Sequence, residues 1–258
     1  MSEHVRVAIE DGILRLTLAR PEKKNALSMA MYSTLGEALS KAETDPQVRA
    51  ILIEAEGDAF TAGNDLADFA AVASGKLDRK DMTAHLLLEA LARADKPIVA
   101  AVHGLAVGIG VTLLLHCDLV YVAADARLST PFVSLGLVPE AASSWLLQAR
   151  IGYARAYAMM ALGETLDGTT AVTLGLANAA LPANEVRARA LAAAQQLVAR
   201  PIGALQATKR LMRDGEAIRA VMEREAEVFG ARLKSIEAAE ALRAFAERRA
   251  PNFRDIVG

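Results

Sequence analysis

The sequence has little cysteine, few aromatic residues and almost no net charge. Of its 258 residues, 1 is cysteine, 4% are aromatic, and the formal net charge at pH 7 is −2. A lone cysteine excludes an internal disulfide framework and favours a reducing compartment. The charge balance gives no reason to expect a polyanionic partner, so we expect no binding of nucleic acid.

Long apolar runs are also missing. The run that begins at Ile98 is interrupted by His103, His116 and Asp118 before it reaches the length of a bilayer span. The first residues, Met1-Ser2-Glu3-His4, lack the charged and then apolar pattern of a secretion signal. We therefore expect a protein of the cytoplasm that makes no contact with a membrane.

Core material, in contrast, is plentiful, since 53% of the residues are hydrophobic and 23% are charged. Alternating apolar residues on both sides of Asp11-Gly12 predict a β-hairpin. Ser28 is placed to cap a helix that runs to about Glu43. Further apolar runs predict buried strands at Arg49–Glu54, Pro97–Val102 and Leu119–Val122. Strands that alternate with helices indicate a layered α/β fold.

After about Gly152 the pattern becomes mostly helical. It predicts helices over Asn184–Ala199 and Pro201–Met212, and one long amphipathic helix over Ala217–Arg249. A long amphipathic C-terminal helix often packs on another subunit. We predict one continuous domain, with a core over residues 1–200 and a C-terminal helical region over residues 201–258.

Two glycine-containing loops each follow a predicted buried strand. The first is Gly57–Leu66, and the second, Gly104–Gly110, runs directly into a helix. Small residues let backbone approach a ligand closely, and a helix N-terminus offers free N–H groups. The pair could therefore place two N–H donors on one developing oxyanion, or the loops could be ordinary strand-to-helix turns. A dinucleotide site is disfavoured because the second loop does not spell G-x-G-x-x-G.

One carboxylate stands out in an apolar stretch, Leu135–Ser144. Glu140 is preceded by ten residues, from Thr130 to Pro139, with no ionisable group. Burying a carboxylate costs free energy. Glu140 either lies at the surface through the course of the chain or is held in an apolar pocket for chemistry.

Together these motifs resemble the enoyl-CoA hydratase/isomerase (crotonase) superfamily. The resemblance is carried by Gly57-x-x-Phe60-x-Ala62-Gly63-x-Asp65-Leu66, Gly104-x-Ala106-x-Gly108-x-Gly110 and Cys117-Asp118, and extends from Arg20 to Phe253. It implies a crotonase-like spiral of ββα turns with a C-terminal helical trimerisation region. It also implies an acyl-CoA substrate, no cofactor besides the CoA of that substrate, and a homotrimer or dimer of trimers. Oxyanion donors are expected at the backbone N–H groups of Ala62 and Ile109.

The reaction depends on the acids, which differ between members of the superfamily. Family hydratases hold a water molecule between two glutamates, and the matching positions here are Thr112 and Phe132. The stretch around Glu140 instead resembles the Δ3,Δ2-enoyl-CoA isomerases, in which one glutamate at this position shuttles the proton. The resemblance thus implies an isomerase with Glu140 as its catalytic residue. Another crotonase reaction, such as hydration or thioester hydrolysis, and a non-catalytic acyl-CoA-binding protein remain alternatives.

The same resemblance implies substrate or CoA contacts at further positions: Lys24, Ala26, Gly63, Asn64, Asp65, Leu66, Gly110 and Phe132. Asp65 also fits a turn residue that binds backbone N–H groups. Phe229, Phe245 and Arg248 match positions that reach a neighbour's CoA in relatives, or they serve packing.

Two residue types are not expected to do chemistry. Cys117 lies in a leucine-rich run and is expected in the core. The histidines have no metal-ligand spacing, so no metal site is predicted.

Overall fold

The computed structural model describes residues 2–73, 83–254 and 256. Its strands are β1 (Val5–Glu10), β2 (Ile13–Leu18), β3 (Ala50–Ala55), β4 (Ile98–Val102), β5 (Leu105–Val107), β6 (Leu119–Ala123), β7 (Arg127–Ser129), β8 (Thr165–Asp167) and β9 (Ala179–Leu181).

The helices are α1 (Met29–Thr44), α2 (Leu66–Ala73), α3 (Ala84–Arg93), α4 (Ile109–Thr112), α5 (Ser143–Ile151), α6 (Tyr153–Tyr157), α7 (Gly168–Thr173), α8 (Ala183–Val198), α9 (Ile202–Met212), α10 (Gly215–Leu233) and α11 (Ile236–Ala246). A 3₁₀ turn, Leu113–His116, continues α4. Within the described ranges, no helix combines the length and apolar character that a membrane span requires.

The strands form two sheets. The larger sheet has the order β1-β2-β3-β4-β6-β9, antiparallel between β1 and β2 and parallel elsewhere. The smaller sheet has the order β5-β7-β8. Consecutive strands β4 and β5, and then β6 and β7, step from the larger sheet to the smaller one before the chain returns through helix. This is a spiral of ββα turns, and it confirms the predicted α/β class.

The predicted hairpin is confirmed, with Asp11 (φ 49°) and Gly12 (φ 80°) at its turn. The helix capped by Ser28 is also confirmed, because the Ser28 hydroxyl accepts a hydrogen bond from the Met31 N–H. Strands β5, β7, β8 and β9 were not predicted. Each has three residues, too few for an alternating pattern to show.

The long C-terminal helix predicted over Ala217–Arg249 is wrong. The chain forms two helices, because α10 ends at Leu233 and Ser235 caps α11 by accepting a hydrogen bond from the Ala238 N–H at 3.1 Å. A serine in the middle of an amphipathic pattern is a good N-cap, and capping competes with helix continuation.

Helices α10 and α11 fold back onto the α/β core of the same chain. They contact α2 and α3. A small apolar cluster, Leu137, Phe229, Leu233, Ala238 and Leu242, joins them to the stretch that contains Glu140. The division of the chain at residue 200 stays a prediction.

Helices α1 and α3 are in close backbone contact at Gly36. A Cβ atom on this residue would lie 2.6 Å from the backbone carbon of Leu86 in α3. Only hydrogen fits in that gap, so Gly36 sets the spacing between α1 and α3.

We expect Gly36→Ala to lower the free energy of unfolding by about 2 kcal/mol, because α1 and α3 must separate. Gly203→Ala is the matched control, since Gly203 is also helical but a Cβ there meets nothing within 4 Å. It should raise stability by up to about 1 kcal/mol through helix propensity alone. Chemical denaturation of both variants measures the difference, and equal effects would contradict the close approach.

Candidate active site

The two glycine loops lie side by side because they follow neighbouring parallel strands, β3 and β4. Their backbones hydrogen-bond to each other, with the Thr61 N–H donating to Leu105 O and the Val107 N–H donating to Thr61 O, both at 3.0 Å. A Cβ on Gly63 would lie 2.9 Å from Val107 O. The two loops therefore form one continuous backbone surface.

At least two backbone N–H groups on this surface have no acceptor within the described part of the chain. One belongs to Ile109, the first residue of α4. The other belongs to Asn64. Leu27 pairs with the residues on either side of Asn64, since its N–H donates to Gly63 O at 2.8 Å and its O accepts from the Asp65 N–H at 3.0 Å. In a parallel bridge of this kind the intervening N–H points to the opposite side.

The prediction of an oxyanion donor at Ala62 needs correction. The Ala62 N–H already donates to the carbonyl of Lys24 at 2.8 Å. The first loop pairs with the Lys24–Leu27 segment as a strand would, and sequence motifs do not show which N–H groups such pairing consumes. The available donor in this loop is Asn64, two residues further along.

Glu140 lies at a cavity of about 570 Å³. Asn64 and Ala141 line the cavity beside it, and α3 and α10 form its other walls through side chains such as Leu88, Met222 and Phe229. Glu140 is half-buried. The structure thus brings together the predicted acid and Asn64, in a cavity whose walls combine apolar side chains with charged ones such as Arg93 and Arg219.

Tyr32 is a site residue that the sequence analysis missed. It is 3% exposed, and its hydroxyl donates a hydrogen bond to Asn64 Oδ1. Burial, and then the nearby charges of Glu140 and Asp68, hold the pKa of Tyr32 well above its ordinary value. Tyr32 therefore stays a neutral donor and fixes the orientation of the Asn64 amide. A tyrosine on the apolar face of α1 was the available signal, because a buried phenol needs a hydrogen-bond partner.

The two positions that carry acids in hydratases are buried in this chain. Thr112 is 0% exposed and Phe132 is 5% exposed. The Thr112 hydroxyl has no hydrogen-bond partner among the described residues. Phe132 is not among the described residues that line the cavity around Glu140. The structure therefore does not place Phe132 at the cavity, where a substrate contact was expected.

The remaining residues that were predicted to contact substrate or CoA are not among the described residues that line the cavity. Lys24 is exposed and pairs with Asp58 at 3.7 Å. Ala26 is half-buried, and its carbonyl accepts from Arg20 Nη1 at 3.0 Å. Leu66 packs against the apolar cluster of the C-terminal helices, and Gly110 is buried against Thr61.

Asp65 has the structural role of a turn residue. Its carboxylate accepts from Arg20 Nη1 at 2.8 Å and from the Ala67 N–H at 3.1 Å. Burial alone would raise the pKa of Asp65, but these hydrogen bonds outweigh it and lower that pKa. The carboxylate is held as an anion for the loop and is not placed as an acid catalyst.

Cys117 lies in the core, as predicted, since it is 2% exposed and burial raises the pKa of its thiol to about 12. Of the aromatic residues considered for CoA contact, Phe229 lines the cavity and Phe245 is 62% exposed. Over the described residues, no group of three or more side chains could hold a metal ion.

The chain is similar to known proteins in both sequence and fold. Residues 8–256 match the family model described as enoyl-CoA hydratase/isomerase. The chain is 34% identical to enoyl-CoA delta isomerase 2 of Rattus norvegicus over 96% of its own length, and spans 64% of that protein. It is 34% identical to a probable enoyl-CoA hydratase of Rhodobacter capsulatus, covering 98% of this chain and 99% of the relative.

A solved structure of similar form is an enoyl-CoA hydratase/isomerase from Pseudoalteromonas atlantica. It has a TM-score of 0.91 and 40% sequence identity, over 97% of this chain and 100% of that one. With its motifs, its spiral of ββα turns and these matches, the chain belongs to the enoyl-CoA hydratase/isomerase family, the crotonase superfamily.

Proposed function

We propose that this protein is a Δ3,Δ2-enoyl-CoA isomerase that moves a double bond by one proton transfer out and one back. The observation that carries the proposal is the position of Glu140, which lines the cavity together with Asn64, whereas the other carboxylates of the lining, Glu89 and Glu223, come from α3 and α10. Thr112 and Phe132, where a hydratase needs its two acids, carry none. Hydration needs a water molecule activated by a base, whereas isomerisation needs one base that reaches two carbons.

In the proposed mechanism, the Glu140 carboxylate removes a proton from C2 of a 3-enoyl-CoA. The electron pair left at C2 moves toward the thioester and forms a dienolate, whose negative charge lies largely on the thioester oxygen. Protonated Glu140 then returns the proton to C4, which leaves the double bond between C2 and C3. No electrons leave the substrate, so the reaction calls for no cofactor beyond its CoA, and that absence stays a prediction.

The developing oxyanion is assigned to the backbone N–H groups of Asn64 and Ile109. Both are unpaired within the described chain, and both lie on the surface that the two loops share. Donors fixed in advance stabilise charge without reorganising when it forms.

The relatives support an acyl-CoA reaction but carry both activities in their names, isomerase for the rat protein and probable hydratase for the bacterial one. Separate incubation with a 3-enoyl-CoA and a 2-enoyl-CoA distinguishes the two. The proposal expects a 2-enoyl product from the first. A 3-hydroxyacyl product from the second would favour a hydratase, and binding without turnover would favour a carrier of acyl-CoA. A series of acyl lengths in the same assay defines the substrate.

Replacement of the base tests the proposal directly. We expect Glu140→Gln to lower the isomerase kcat by about 10²- to 10⁴-fold, because the amide cannot accept the C2 proton. Glu164→Gln is the matched control, since Glu164 is an exposed carboxylate, and it should keep the wild-type rate. A Glu140→Gln enzyme with near-wild-type turnover would refute the proposal.

The proposed oxyanion donor at Ile109 is a backbone N–H, so it can be removed only by a substitution that changes the backbone. Proline at position 109 removes the N–H, and its ring suits the first residue of a helix. We expect Ile109→Pro to lower kcat by roughly 10²- to 10³-fold. Ile109→Ala, which keeps the N–H and removes the same side-chain packing, is the control. If the two variants lose equal activity, the Ile109 N–H is not an oxyanion donor.

We also propose that the chain assembles as a homotrimer or a dimer of trimers. Leu211 and Met212 at the end of α9 are 89% and 83% exposed, and exposed apolar groups in a cluster mark protein contacts. Light scattering should give a mass three or six times the 27.3 kDa of the chain. Leu211→Asp should lower that mass, whereas Leu162→Asp, at a 73% exposed site elsewhere, should not. A monomeric wild-type protein would refute this assembly.

A further inference from the structure

The backbone directly after Glu140 is strained. Ala141 and Ala142 adopt left-handed conformations, with φ angles of 64° and 57°. Alanine has no polar side chain to stabilise this conformation, and each such residue costs on the order of 1–3 kcal/mol. Two in succession persist only where the surroundings hold them. Both residues are fully buried, at 1% and 0% exposure.

His116 holds the first of these residues. Its Nε2 lies 2.8 Å from the carbonyl oxygen of Ala141, and its Nδ1 lies 2.6 Å from Arg213 Nη2. A guanidinium can only donate, so Nδ1 is the acceptor and the ring proton sits on Nε2, from which it is donated to Ala141. Burial, followed by the charge of Arg213, lowers the pKa of His116 to about 3. The ring is therefore neutral and keeps this tautomer.

Glu225 holds the second residue from the other side. This carboxylate projects from α10, is 8% exposed, and accepts from the Ala142 N–H at 2.6 Å and the Ser144 N–H at 2.9 Å. Each carboxylate oxygen takes one backbone donor. These are charge-assisted bonds, which are stronger than bonds between neutral groups.

The two holding groups come from different parts of the fold. His116 ends the 3₁₀ turn that continues α4, and α4 begins with the Ile109 N–H. One short rigid segment thus joins the oxyanion donor to the backbone beside the base. Glu225 fixes the same backbone to the helix that walls the cavity.

We propose that His116 and Glu225 are positioning residues, which fix the Glu140 carboxylate relative to the oxyanion donors by clamping Ala141 and Ala142 in their strained conformation. The inference rests on the proposed role of Glu140 as the base. Neither residue is among the described residues that line the cavity, so removal of either should change the geometry of proton transfer and leave binding of the acyl-CoA largely intact.

A double-mutant cycle tests this. Glu225→Gln keeps the shape of the side chain but sets an NH₂ group against one of the two backbone donors. It should lower the kcat for 3-enoyl-CoA by about 10- to 100-fold, with KM changed by less than about threefold. In a Glu140→Gln background, the same change should leave the residual rate unaltered, because Glu225 acts through Glu140.

Two controls separate positioning from general damage. Glu240→Gln alters another buried carboxylate of the C-terminal helices, which is 6% exposed and pairs with Arg249 at 2.6 Å; its kcat should stay at the wild-type value. His116→Gln keeps an N–H donor near the Nε2 position and should retain more kcat than His116→Leu, which keeps none. Comparison of the two His116 variants also tests the positioning role if Glu225→Gln does not fold.

Each outcome is decisive. A Glu225→Gln kcat equal to wild type, an equal loss in both backgrounds, or equal rates for the two His116 variants overturns the positioning role and leaves the proposed function standing. Full activity in Glu140→Gln alone would instead overturn the proposed function.

Discussion

The site depends on one constraint, the parallel pairing of β3 with β4. This pairing places the ends of both strands at the same edge of the sheet, so the two glycine loops meet there. Their hydrogen bonds between Thr61, Leu105 and Val107 hold the two backbones so close that a Cβ on Gly63 would lie 2.9 Å from Val107 O. The unpaired N–H groups of Asn64 and Ile109 lie on this shared backbone, and Glu140 lines the cavity together with Asn64.

Much of this arrangement could be predicted from the sequence. The hairpin at Asp11-Gly12 and the cap at Ser28 depend on interactions between residues that are close in the sequence, so the sequence predicts them directly. Glu140 could be singled out because an isolated carboxylate in an apolar stretch needs a physical reason. The broken helix at Ser235 was equally local, but its amphipathic spacing masked the cap.

Other features depend on pairing between distant segments. The hydrogen bond from the Ala62 N–H to the Lys24 carbonyl, which leaves the Ala62 N–H unavailable to a ligand, arises when two segments align in a strand-like register. The Tyr32–Asn64 hydrogen bond joins a helix to a loop 32 residues away. The clamp on Ala141 and Ala142 likewise joins α10 and the turn after α4. Periodicity and spacing carry no information about such registers, so a structure is needed to find them.

Helix α10 performs two tasks one turn apart. Glu225 binds the backbone that follows Glu140, and Phe229 lines the cavity. Any sliding or rotation of α10 that enlarged the cavity would also pull the carboxylate from its two N–H partners. The size of the cavity is therefore changed more readily by substitution at a wall position such as Met222 than by movement of the helix.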